Sequence, residues 1–168
     1  VFSKPSNSQP IDFEAAGITE NIGAQVPLDI ELTDSTGATL NTNDLFSDGK
    51  PVVLVMAYYS CPMLCNLVVE SVADVVNKTQ STIGERYRIV TISFDPRDTT
   101  ASAAAFAQKH IASVKTKVLP NGWRFLIGNE GHVRTIGDAV GFRYKYLPET
   151  DDYAHGAGII ILTPDGKV

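Results

Sequence analysis

The side chains best suited to do chemistry are two thiols four residues apart, in Tyr59-Ser60-Cys61-Pro62-Met63-Leu64-Cys65. They are the only cysteines in a chain of 168 residues. A bridge between them would close so short a loop that little chain entropy is removed, so stabilisation alone does not explain the pair. Nor do two cysteines make a disulfide scaffold. Redox chemistry, metal binding and plain burial as two small apolar residues stay open. With Cys61 at or near a helix N-cap and Cys65 one turn later on the same face, their Cα atoms are about 6 Å apart, close enough for a disulfide or for two sulfurs to converge on one ion. A helix N-terminus offers unpaired N–H groups and partial positive charge, which favour thiolate, the form that serves as nucleophile and as metal ligand. At least one of the two thiols is therefore expected to be unusually acidic.

Three histidines are the other candidates. His155, in Asp151-Asp152-Tyr153-Ala154-His155-Gly156, ends a polar loop that leads into the last apolar run. A lone loop histidine is ordinarily solvated, but a loop entering a buried strand is also a natural place for a ligand. His110 follows Phe106 at i+4 and reads as a partly buried packing residue; His132, in the first turn of a capped helix, reads as surface. Cys61, Cys65 and His155 together form a soft three-coordinate set suited to Cu(I). A closed structural zinc site needs four ligands and would consume nearly the whole inventory. Met63 adds a thioether beside the pair, although its bland reading is an apolar side chain on a helix face. Glu149, Asp151 and Asp152 make the loop before His155 acidic, either as a solvated turn or as a surface that steers a basic partner.

Strands alternating with helices must position these groups. Leu28, Ile30 and Leu32 alternate with polar residues and predict a half-buried strand, returned through Asp34-Ser35-Thr36-Gly37 to Thr39–Thr42, with Asn43 capping a brief helical turn through Phe46. The continuous apolar run from Pro51 to Tyr59 predicts a central strand covered on both faces. Helical spacing from Leu64 onward predicts a long helix over about 62–82, with Pro62 in its first turn. A strand over 88–94, a helix over 101–113, a strand over 123–127 and a helix from Asn129 to Gly141 follow. Residues 142–153 read as strand and loop, 158–163 as the last strand and 164–167 as a hairpin turn, after which a further strand would be expected. This order is α/β, a central mixed sheet with helices on both faces and an added N-terminal β-hairpin. Residues 1–24 show no period and read as a mobile lead-in to one domain over 25–168.

Composition narrows the function further. A hydrophobic fraction of 43% and a charged fraction of 20% fit a globular domain. The net charge of −5 argues against nucleic acid as a partner, because phosphate binding needs a basic surface. No apolar run reaches the roughly 18 residues that span a bilayer.

Taken together, these residues resemble the Sco/SenC family of thioredoxin-fold copper proteins. The markers are Val26-Pro27-Leu28, Cys61-Pro62-Met63-Leu64-Cys65, Ser93-Phe94-Asp95-Pro96-Arg97-Asp98-Thr99, and Ala154-His155 before Ile160-Ile161-Leu162-Thr163-Pro164-Asp165-Gly166. The resemblance implies a thioredoxin fold and a copper ion, Cu(I) or Cu(II), bound by Cys61, Cys65 and His155. It implies a metallochaperone that delivers copper to a subunit of a respiratory oxidase during cytochrome c oxidase assembly. The alternative is a thiol–disulfide oxidoreductase using Cys61 and Cys65 as a redox-active pair on a partner's cysteines. It also implies a periplasmic location and an inner-membrane tether upstream of Val1. Two positions depart from the family: Asn66 stands where Pro is common after the second cysteine, and Ala154-His155-Gly156 stands where Asp-His-Ser is common.

Overall fold

The computed structural model describes residues 15–168. Six strands form the main sheet in the order β3-β2-β6-β5-β4-β9. Its centre is three parallel strands, β4 (Val52–Ala57), β5 (Arg88–Ser93) and β6 (Trp123–Ile127), each rich in β-branched or aromatic residues. Antiparallel strands close both sides: β2 (Glu31–Asp34) pairs with β6, β3 (Thr39–Asn41) pairs with β2, and β9 (Ile160–Leu162) pairs with β4.

Side-chain alternation along the central strands divides the core into two layers. Val55, Ile89 and Phe125 face α1 (Leu64–Thr79) and α2 (Thr100–Ile111). Leu54, Val90 and Leu126 point the other way, toward α3 (Glu130–Val140) and Phe142. Helices thus cover both faces, as the sequence predicts. Thr99 and Asn129 cap α2 and α3 by accepting the N–H of Ser102 and His132, and Gly141 ends α3 at φ 75°.

Some boundaries differ from expectation for local reasons. The strand expected from Leu28 begins at Glu31, because the backbone before it bonds to the following turn: Asn43 N–H donates to Leu28 O, and Thr42 Oγ1 donates to Pro27 O. The 3-10 turn Thr42–Phe46 starts from Asn41 rather than Asn43, with Asn41 N–H donating to Asp44. Phe142–Tyr153 is not strand and loop. It is most of a hairpin, β7 (Phe142–Leu147) and β8 (Asp152–His155), which forms a second sheet with β1 (Gly17–Ile18). The expected lead-in over 1–24 overlaps that strand, since Gly17 and Ile18 pair with Arg143 and Phe142; its residues 1–14 lie outside the described residues. After the closing turn, Val168 pairs back onto Gly23 and Ala24.

Candidate metal centre

Cys61 and Cys65 lie beyond the C-terminal end of β4, where the chain crosses into α1. The helix begins at Leu64, two residues later than Pro62, with Met63 as its N-cap. Cys61, expected at or near the N-cap, lies two residues before it. Pro62 has no N–H, and Cys61 N–H is already used in a turn to Tyr58 O, so the chain bends before the helix starts. The sulfur of Cys61 then does what a capping oxygen would do: it accepts the N–H of Cys65 in the first turn, at 3.3 Å. Asn66 reinforces the bend by donating Nδ2 to Cys61 O at 2.9 Å.

His155 arrives from the second sheet as the last residue of β8, opposite Tyr144. Its Nε2 is 3.7 Å from Cys65 Sγ. The ligand atoms of Cys61, Cys65 and His155 all lie within 4.8 Å of one another. The three candidates read from the sequence are thus brought together across about ninety positions. Both cysteines are free and buried, and His155 is half-buried against the rings of Tyr58, Phe94 and Phe142.

The imidazole is oriented although Ala154 offers no carboxylate. His155 Nδ1 lies 2.7 Å from Gly156 O. A carbonyl only accepts, so Nδ1 carries the proton and Nε2 turns its lone pair toward the thiols. Gly156 also permits the close approach of β1, since a Cβ there would meet Ile18 Cγ1 at 2.8 Å. Burial lowers the pKa of His155, with the Gly156 bond opposing, so the ring stays neutral and able to bind metal. Cys65 is not an acidic thiol. Burial pushes its thiol well above the ordinary value and outweighs the hydrogen bond from Tyr58 N–H. Two buried thiols and one half-buried imidazole, convergent, form a set suited to a soft cation.

Residues assigned no ligand role from the sequence support this cluster. Asp98 accepts Tyr59 N–H and the hydroxyls of Ser93 and Ser102, holding the segment before Cys61. Arg97 ties Asp95 to Asp151, and Tyr58 OH donates to Asp152. The acidic loop is therefore not simply solvated: two of its three carboxylates fasten the hairpin that carries His155. The Asp-Pro loop and the acidic loop gave the sequence signals for these contacts. His110 is fully buried rather than partly so, its ring tilted against Phe106 and bonded to Asn66. His132 is half-buried, with Nδ1 3.0 Å from Glu31 O. A separate apolar groove of about 590 Å³ between α1 and residues 157–159 is lined by none of the three candidate ligands.

A family model described as SCO1/SenC matches residues 20–168. Among solved structures, a provisionally named electron transfer protein from Aquifex aeolicus VF5 is 26% identical with a TM-score of 0.76, covering 88% of this chain and 81% of its own. ScoI from Bradyrhizobium japonicum, solved with copper bound, is 25% identical with a TM-score of 0.63, covering 87% and 85%. ScoI from Arabidopsis thaliana, also with copper bound, shares the fold at 19% identity and a TM-score of 0.66, covering 87% and 84%. The search of curated proteins returns no match. The architecture is the thioredoxin-like α/β fold of these proteins.

Proposed function

Because the chain belongs to the SCO1/SenC family, we propose that it is a copper-binding protein of Sco type, with Cys61, Cys65 and His155 holding one copper ion as cargo. The observation that carries this reading is the convergence of two sulfurs and one imidazole nitrogen within 4.8 Å. Copper replaces the thiol protons on binding, so its charge offsets the burial that keeps Cys65 protonated. In this reading the recipient is the copper site of a respiratory oxidase. The protein works in the periplasm, held by a tether outside the described residues, which contain no helix long and apolar enough to cross a membrane.

The second reading is thiol–disulfide exchange on a partner, favoured by the closeness of two free thiols. His155 separates the two, since a copper site needs it and a reductase does not. The test is the copper stoichiometry of the reduced protein under anaerobic conditions, with and without His155→Ala. One equivalent in the parent and weaker binding in the variant support the copper reading. Equal affinity removes His155 from the ligand set and favours the reductase.

A further inference from the structure

Between its two buried thiols the chain bulges outward, leaving Pro62, Met63 and Leu64 exposed. Cys61 and Cys65 are 6% and 1% exposed, whereas Met63 is 68% exposed. Met63 lies just before the helix rather than on its face. It occupies the N-cap of α1 and makes no side-chain cap bond. Ser, Thr, Asn or Asp would satisfy an orphan N–H there, which the sulfur of Cys61 does instead. Neither packing nor capping therefore accounts for a methionine at this position. A single exposed apolar residue is ordinary in itself. What sets this one apart is a thioether, a ligand for Cu(I), on an unbranched side chain with three rotatable bonds. It lies two positions from each thiol, a span of at most about 7 Å between α-carbons.

On the basis of the copper reading above, we infer that Met63 is a capture ligand, a thioether that takes Cu(I) at the surface and passes it inward to Cys61 and Cys65. The bond from copper to the Met63 sulfur breaks as bonds to the two cysteine sulfurs form. The thiol protons leave to solvent, and copper stays Cu(I), so no electron acceptor is needed. Release to a recipient runs through the same contact in reverse. A ligand present only during transfer speeds both directions equally and leaves the equilibrium unchanged.

Stopped-flow transfer between the Cu(I)–bicinchoninate complex and the reduced protein tests this under anaerobic conditions. Met63→Leu keeps the bulk and removes the sulfur; Met63→Ser removes the sulfur and supplies a capping oxygen. Both variants are expected to slow loading and release about tenfold, equivalent to one lost transition-state contact, while Cu(I) affinity stays at the parental value. Met63→Ser should be at least as thermally stable as the parent, which separates slow transfer from misfolding. Parental rates in Met63→Leu would overturn the inference. So would a loss of affinity parallel to the loss of rate, since Met63 would then be a resident ligand. Failure of the underlying copper reading shows up separately, as a parent protein that binds no stoichiometric Cu(I) at equilibrium.

Discussion

Asn66 joins the metal loop to α2 through one side-chain amide. Its Nδ2 donates to Cys61 O, and its Oδ1 is 2.8 Å from Lys109 Nζ and 3.1 Å from His110 Nε2. Asn66→Ala strands the buried His110 ring nitrogen and releases the Cys61 carbonyl. The expected loss is about 1–3 kcal/mol in urea unfolding, accompanied by weaker copper binding. The histidines also set a pH dependence. Burial lowers the pKa of His110 and of His155, with Lys109 adding to the effect at His110. Below about pH 6.5 the unfolded chain takes up these protons while the native protein does not, so stability is lost as pH falls through that window. Each group contributes a slope of at most about 1.4 kcal/mol per pH unit. His110→Gln is expected to flatten the decline, as measured by unfolding midpoints across that range.

The β7–β8 hairpin is the element on which the third ligand depends. Arg97 Nη1 reaches Asp151 at 2.6 Å while the same guanidinium grips buried Asp95, and Tyr146 OH also donates to Asp151. Exposed ion pairs contribute little to global stability, but this one ties a short hairpin to the β5–α2 loop. Asp151→Asn should leave the unfolding midpoint nearly unchanged. It should speed hydrogen exchange at the amides of Asp152–His155 and weaken copper binding, because His155 is then held less firmly. Unchanged exchange in that segment would show that ring packing alone holds the hairpin.

At the scale of the molecule, the two core layers are equally buried but unequally tied to the site. Phe94 and Phe125 are each 1% exposed. Phe94 stacks on Tyr144 at 4.6 Å and lies 5.2 Å from the His155 ring, joining the main sheet to the hairpin. Phe125 packs against Trp123 and Phe106 in the layer under α1 and α2. Replacement of either by Ala should cost about 3–5 kcal/mol in chemical denaturation, a large share of the roughly 5–15 kcal/mol that holds a domain together. Only Phe94→Ala is expected to lower copper affinity in the protein that remains folded.

By itself, the sequence determined whatever depends on local pattern and on residue chemistry. The run Val52–Ala57 reads as a buried strand, the spacing of Val68, Val72 and Val76 reads as one side of a helix, and two cysteines with one late histidine offer a soft ligand set. These follow from periodicity and donor type, which neighbours in the chain supply. Tertiary structure alone decided the rest. Met63 sits outside the core because Pro62 and the Tyr58–Cys61 turn delay the helix by two residues. Cys65 is held protonated because burial outweighs the hydrogen bond from Tyr58 N–H. His155 reaches the thiols because Tyr144–Tyr153 folds into a hairpin that Arg97 and Phe94 pin from a loop some fifty residues away. Burial and convergence are sums over contacts remote in sequence, and no window along the chain contains them.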